Sequence, residues 1–382
     1  MTTATTTRLG AAGALTPRDA ADVAEIVASH PRGLEPRGGG ALRDVGRPLE
    51  ADVLALGALS GISSYEPAEL VLTALAGTVL ASVETALAAE SQRLAFEPPD
   101  FGALLAVDSP RTIGGVVAAN VAGSRRVSAG AARDHLLGCE AVSGRGERFK
   151  AGGRVVKNVT GYDVPKLLAG SWGTLAVLTT VTLRVVPLPE TERTLVVPCT
   201  LAEDAVGILG AALGSPHDVT AAAFDPLRGC LLRVEGFSAS VDARAAALAR
   251  SLRHADVAAI DGAASRALWA AIGGAAALAR WPVVWKISVP PTDAPRLLAA
   301  LAPERYLLDW GGGLVWAAFA EADAARVRGA LREGHATLFK APRAARAAQP
   351  VFQPQPPALA AAARRVKLAF DPDGRLNPGR LG

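Results

Sequence analysis

Three glycine-rich segments hold the residues whose types and spacing could do chemistry. In the first, Arg37, Gly38, Gly39, Gly40, Ala41 and Leu42 spell RGGGAL. Glycine accepts positive φ and has no Cβ, so the backbone N–H groups of such a run can point into one concavity that suits a pyrophosphate. The same text also makes an ordinary turn between strands. The second segment, RTIGGVVAANVAGSRRVSAGAARDHLLG, runs from Arg111 to Gly138. Thr112 is placed to cap a short helix that opens on Ile113, Gly114 and Gly115, and the N-terminus of that helix favours a phosphate. Ala118, Ala119, Asn120 and Gly123 are small enough to let a bulky planar ligand approach the backbone, although such spacing serves close helix packing equally well.

The third segment, VVKNVTGYDVPKLLAGSWGTLAVLTTVTLRVVP, spans Val155 to Pro187. Gly161 precedes a helix whose first turn holds Asp163 and Pro165, and GSWGT sets Gly170 and Gly173 ahead of an apolar run containing Val177. A flat ring could lie against that strand entry. Alone, the segment also reads as a buried helix–turn–strand unit.

Elements must position these loops, and the bulk properties permit them. At 382 residues the chain exceeds the usual size of a single core, so two domains are expected. Half the residues are hydrophobic and 20% charged, a globular composition. The net charge of +4 comes from scattered arginines, and aromatics make up 5%, so nothing points to nucleic acid. Three dispersed cysteines, Cys139, Cys199 and Cys230, include no CxxC pair, which argues against an iron–sulfur cluster or structural zinc; no metal site is expected. No apolar h-region or membrane-spanning run is evident, so the expected compartment is the cytoplasm, with membrane association at most peripheral.

Thr16 as N-cap and Pro17 as first helical residue predict a helix over 17–29, with Val23, Ile26 and Val27 on one face. Strands such as DVLAL and ELVLTAL then alternate with the helical run VLASVETALAAES. Near Glu192 a new order begins: strand 193–199, helix 201–213, strands 218–225 and 229–237, helix 240–254, strand 256–261. After a helix at 263–279 the same split βαβ order returns in strand 283–289, helix 293–302, strands 304–309 and 313–320, helix 321–333 and strand 335–340. Two such units would pair into one larger sheet, because each leaves an edge that needs covering. The Pro- and Gln-rich text of 341–357 reads as an extended linker, and the tail after it, DPDGRLNPGRLG, is expected to return to the first domain.

No GxGxxG follows a strand with an acid some 20 residues on, and no GxxxxGK[ST] occurs, which disfavours NAD and ATP sites of those kinds. RGGGAL, EPPDFG, TIGG with AANVAG, RDHLLG, GYD with LLAGSWGTLAVLT, and LNPG together resemble the FAD-binding family of vanillyl-alcohol oxidase and p-cresol methylhydroxylase type. Within it, the GYD and GSWGT block, EPP, LLDWGGG at 307–313 and LNPG look most like the FAD-binding E subunits of bacterial glycolate oxidase, from about Ala20 to Gly382. The resemblance implies an α+β fold: a two-lobed FAD-binding domain of p-cresol methylhydroxylase type at 1–190, a cap of duplicated ferredoxin-like units at 191–345, and a linker and returning segment at 346–382. Carried over by position, Arg37 to Leu42 would form one pyrophosphate loop, and Thr112 to Gly115 with Ala118, Ala119, Asn120 and Gly123 the second. Lys157, Gly161 and Tyr162 would line the neighbourhood, and Gly173 with Val177 would contact the nucleotide end. Gly39→Val and Gly115→Val are then expected to fill space the phosphates need.

The glycine loop lacks histidine and His135 sits beside LLG, so the FAD is expected to be non-covalent. Oxidising a 2-hydroxy acid needs a carboxylate anchor, an acceptor for the hydroxyl proton and a flavin to take hydride. The histidine-and-acid motif that relatives use, resembling GHxGDGN, does not occur; GHAT at Gly334 to Thr337 lacks the acids, so no catalytic residue is assigned. Asp309 and Trp310, ahead of three glycines, could turn toward the flavin, whereas a buried tryptophan at a hairpin is the commoner outcome. The resemblance implies a redox subunit working with a second FAD-linked oxidase subunit and an iron–sulfur subunit on a small 2-hydroxy acid. A self-sufficient FAD-linked dehydrogenase of another hydroxy acid or sugar acid, and a non-catalytic assembly subunit, stay open.

Overall fold

A computed structural model describes residues 13–154, 161–252, 254 and 256–381. The first helix is Ala20–Ser29, and it buries Val23, Ile26 and Val27. Its cap is Asp19, whose carboxylate accepts from the N–H groups of Ala21 and Asp22, and not Thr16. The reason is tertiary: Leu15 is drawn into an extended bridge beside Leu54, so the chain around Thr16 runs alongside a strand instead of turning into a helix.

Strands β1 (Leu34–Arg37) and β2 (Asp52–Ala55) form a parallel pair. The returning tail joins them, because Leu34 N–H donates to the Arg375 carbonyl and Asn377 N–H to that of Leu34. Next come β3 (Ile62–Glu66), β4 (Val71–Leu75), β5 (Gln92–Leu94), β6 (Leu136–Ser143), β7 (Arg148–Gly152) and β8 (Ala176–Pro187). They make an antiparallel sheet in the order β3-β4-β8-β6-β7, with β5 added alongside β8. The apolar run that begins after GSWGT forms the twelve-residue β8 and is covered on both faces. Leu178, Val181 and Leu183 pack against helices Leu80–Ala89 and Ile113–Ala119, and Val177 packs toward the first helix.

From residue 191 a second sheet is built from β9 (Thr191–Val197), β10 (Val219–Asp225), β11 (Gly229–Gly236), β12 (Ala258–Asp261), β13 (Val283–Ser288), β14 (Arg305–Asp309), β15 (Leu314–Phe319) and β16 (His335–Lys340). Its order is β12-β9-β11-β10-β14-β15-β13-β16, antiparallel throughout, and the β10–β14 contact at Phe224 and Leu308 joins the two halves. Helices Ala202–Leu213, Ser238–Leu252, Ala294–Leu301 and Ala324–Gly329 cover one face. On the opposite face, Val284, Leu307, Leu314, Trp316 and Phe339 pack against Val45, Phe101, Leu104 and Val121 of the first half of the chain.

Three elements differ from the sequence pattern. The helix expected over 263–279 stops at Gly273, and Ala275 has φ 50° before a short 3-10 turn. Gly274 lies so close to Asp100 that an added Cβ would sit 2.2 Å from its carbonyl oxygen. The helix expected over 321–333 shrinks to Ala324–Gly329, capped by Asp323. The expected linker at 341–357 contains helix Arg343–Ala348 and is bound down as far as Gln353. Buried Arg346 donates to the Gly46 carbonyl and pairs with Asp44, while the carbonyl of buried Val351 accepts from Leu338 N–H. Pro and Gln content could not reveal those partners, which lie up to 302 residues away in sequence.

Candidate functional site

The end of β1, the start of helix Ile113–Ala119, the entry to β8 and the C-terminal tail surround one cleft of about 1120 Å³, counting its open part.

The first glycine loop follows β1 and lies flat against the second. A Cβ on Gly38 would stand 2.1 Å from Thr112 Oγ1, and one on Gly39 1.7 Å from the Pro110 carbonyl oxygen. Glycine is therefore required at both positions by contact between the loops. This corrects the expectation for Gly39, where a side chain would collide with protein before reaching any phosphate. At Gly115 a Cβ would meet only Thr112 Oγ1, at 3.1 Å, and otherwise enter open space. Thr112 caps its helix by accepting from Gly115 N–H. Among the described residues no carbonyl accepts from the N–H groups of Gly39 to Leu42, which leaves them for a ligand.

The third segment turns sharply, with Trp172 and Gly173 both at positive φ, and Trp172 N–H donates to the Ala118 carbonyl. Ala176, Val177 and Leu178 follow as an apolar wall, with Phe101 and Val121 lining the cleft as well. The tail supplies polar groups. Asn377, 4% exposed, donates from Nδ2 to the Trp172 carbonyl, while its Oδ1 is buried without a partner. Arg380 donates to the Leu42 carbonyl and lies 3.8 Å from Glu35; burial pulls its guanidinium below its usual range.

The cleft thus gathers Arg37, Gly38, Gly39, Gly40, Ala41, Leu42, Thr112, Gly114, Gly115, Ala118, Ala119, Gly173 and Val177. Five other predicted residues do not line it. Ile113 points into the core, and Asn120 ends its helix at φ 49° with Oδ1 accepting from Arg133 N–H. Gly123 is pinned between Glu97 and Trp310, Gly161 stands at φ 80° with nothing among the described residues within 4 Å of an added Cβ, and Tyr162 is 97% exposed. Lys157 lies outside the described residues. Trp172, Asn377 and Arg380 were missed as site residues. GSWGT and LNPG marked the first two as part of patterned text, whereas nothing local marked Arg380.

His135 is not in the cleft, since its Nε2 lies 2.6 Å from the Ala129 carbonyl and its ring stacks on Phe96. Asp309 is also outside it, 1% exposed, accepting from Ser124 Oγ and Trp310 N–H; burial pushes its carboxyl up to about 7. A buried ion network ties the second sheet to the cleft wall. Arg233 binds both oxygens of Glu97, the residue before Pro98 and Pro99, and Glu97 also accepts from Arg125 N–H. Burial alone would raise the Glu235 carboxyl, but Arg233, Arg125 and Arg93 outweigh it and hold the group at about 2.

Unpaired N–H groups, a buried cation, an orphaned amide oxygen and a small-residue apolar floor fit a long ligand with an anionic middle and a flat heteroaromatic end. Residues 11–152 match the family described as FAD binding domain, and residues 351–381 match FAD linked oxidases, C-terminal domain. Glycolate oxidase subunit GlcE of Escherichia coli (strain K12) is 33% identical over 340 residues, covering 88% of this chain and 89% of that one. The chain belongs to the FAD-linked oxidase family. It is an FAD-dependent oxidoreductase, and FAD is its cofactor. Glycolate oxidase subunit GlcD of Bacillus subtilis (strain 168) is 32% identical over 47% of this chain and 38% of its own. A D-lactate dehydrogenase of Anaerostipes hadrus is 34% identical over 40% and 31%. An alkyldihydroxyacetonephosphate synthase structure superimposes with a TM-score of 0.66 at 16% identity, covering 95% of this chain and 76% of that one, which shows a shared fold. Among the described residues no helix is long and apolar enough to cross a membrane.

Proposed function

We propose that this chain is the FAD-binding subunit of a glycolate oxidase complex, taking part in oxidation of glycolate or a related 2-hydroxy acid and passing electrons to partner subunits. The observation that carries the reading is the likeness to a glycolate oxidase subunit along nearly the whole of both chains. The partners would be a second FAD-linked oxidase subunit and an iron–sulfur subunit, working in the cytoplasm or on the inner face of the membrane.

In this reading residues 1–190 and the tail from 346 hold the cofactor, and 191–345 form a cap of two ferredoxin-like units. The observed order of four strands in each half of the second sheet supports that division. Bound FAD would supply a two-electron acceptor. The chain's part would be to hold it: N–H groups of Gly39 to Leu42 and the helix end at Thr112 to Gly115 toward the phosphates, and Val177 and Leu178 as a flat wall. Asn377 Oδ1 would accept a hydrogen bond from the ligand, and the apolar contact between the second sheet and Phe101 and Val121 would keep water out. Among the described residues no histidine, cysteine or tyrosine lines the cleft, which supports non-covalent binding.

The test is anaerobic reduction of the bound flavin by glycolate or D-lactate, followed by its visible absorbance. Bleaching only when the partner chains are present is the expected result, and bleaching of the isolated chain would make it a self-sufficient dehydrogenase. A purified chain without flavin, or a flavin that neither acid reduces in the full complex, would overturn the proposal.

A further inference from the structure

Beside the proposed cofactor cleft, the second sheet presents a cluster of nitrogen groups that lie outside the cleft's lining. Lys286 projects from β13 on the same face as Val284, toward the first half of the chain. It lies deep in the protein yet keeps accessible surface, as a group facing a cleft does. Its Nζ stands 5.0 Å from the centre of the Trp310 ring, and the Arg126 guanidinium stands 5.1 Å from the same centre. His335 of β16 pairs with Ser288, two residues from Lys286 on the same face, so their side chains are diagonal neighbours about 7–8 Å apart. Among the described residues none of these three side chains makes a hydrogen bond or ion pair. The nearby acid, Asp309, is already committed to Ser124 and to Trp310 N–H. The Lys286 ammonium and the Arg126 guanidinium repel one another, and an anion between them would relieve that repulsion.

The cluster is built onto the cofactor cleft. Val121 lines that cleft, Gly123 accepts from Trp310 Nε1, Ser124 binds Asp309, and Arg126 lies over Trp310. Five residues therefore lead from the cleft wall to the cations, a reach of at most about 17 Å.

We propose that Lys286, Arg126 and His335, arranged around Trp310, bind the carboxylate of a small organic acid, with Lys286 as the principal anchor. The inference deepens the reading of this chain as part of a 2-hydroxy-acid oxidase and rests on it for the identity of the acid. A carboxylate fits, because the half-buried Lys286 ammonium and the Arg126 guanidinium can each donate to one of its two oxygens. Burial and the neighbouring Arg126 bring the Lys286 ammonium down to about 8, against the pull of Asp309. Burial first, then Lys286 and Arg126, lower the His335 imidazole, which favours the neutral ring.

The test is calorimetric titration of the FAD-loaded chain with oxalate, an acid it has no means to oxidise, and with inorganic phosphate. One oxalate per chain is expected, bound more tightly than phosphate. Lys286→Met should weaken it about tenfold to a hundredfold and Lys286→Arg much less. Affinity should fall as pH rises from 7 to 9, since Lys286 loses charge and the neighbouring Asp309 gains it. Arg126 is exposed, so Arg126→Gln tests the site without risk to folding and should also weaken oxalate. Equal binding by wild type, K286M and R126Q, or phosphate bound as tightly as oxalate, would overturn the site. Flavin reduction by glycolate decides the functional reading separately, because oxalate binding does not depend on turnover.

Discussion

Gly39 and Gly115 both border the proposed cofactor cleft, yet packing requires glycine only at Gly39, and alanine separates the two. At Gly39 a methyl group would sit 1.7 Å from the Pro110 carbonyl oxygen and 2.7 Å from its carbon, so the two loops must part by more than an ångström. Overpacking of this kind costs about 1–3 kcal/mol. At about 2–4 °C per kcal/mol, that predicts a melting temperature lowered by roughly 2–12 °C. The displaced N–H groups should also lose the phosphates. At Gly115 the methyl meets only Thr112 Oγ1 at 3.1 Å and projects into the cleft. Helix propensity favours alanine there by about 0.5–1 kcal/mol, so the apoprotein should be as stable as wild type or slightly more so. FAD affinity should nevertheless drop, by about tenfold if the intrusion costs 1.4 kcal/mol. The assay is differential scanning calorimetry of both apoproteins, with FAD affinity from fluorescence quenching on reconstitution. Wild-type FAD affinity in Gly115→Ala, or an unchanged melting temperature in Gly39→Ala, would refute the assignment of packing to one glycine and ligand space to the other.

Asp309 offers a test through pH. Its carboxyl is raised to about 7 in the folded chain from 3.8, so the folded state binds the proton more tightly and loses stability as pH rises between these values. Asp309→Asn should therefore be the more stable protein at pH 8 and show a flatter dependence between pH 4 and 8; urea midpoints that fall in parallel for both would count against it. Breaking the Arg233–Glu97 pair with Glu97→Gln leaves a buried guanidinium short of charge, which costs about 3–5 kcal/mol when a pair is fully interrupted. Urea denaturation should show a loss below that range, since Glu235 stays 3.9 Å from Arg233 and the amide oxygen can still accept, and a midpoint equal to wild type would mean the network does not hold the second sheet to the cleft wall. Asn377→Leu removes both the donor to Trp172 and the orphaned acceptor, and should lower flavin content on purification while Asn377→Asp retains more. Equal flavin in the two variants would argue that Oδ1 does not face the cofactor.

Much of this protein is legible in short stretches of its sequence. The cap at Thr112, the strand that follows GSWGT and the two rounds of strand–helix–strand–strand–helix–strand from residue 191 all rest on local propensity and on spacing of 2 or 3.6 residues. The glycine segments also mark the cleft, since stretches of backbone packed this closely leave no room for side chains, as at Gly38, Gly39 and Gly114. What the tertiary structure decided is who meets whom. Thr16 has the chemistry of a cap, but pairing of Leu15 beside Leu54 gave the role to Asp19. Residues 341–357 look like a linker until Arg346 reaches Asp44 and Gly46. Gly39 needs no side chain because Pro110 lies against it, and Arg380 enters the cleft only because the tail pairs with β1. Lys286 and Arg126, 160 positions apart, share one tryptophan ring because sheet register and the Gly123–Trp310 bond place them there. Propensities and glycine requirements act over a few residues and leave a trace in the text. The partner of a buried charge or the neighbour of a missing Cβ is set by contacts between segments far apart in sequence, and those exist only once the chain has folded.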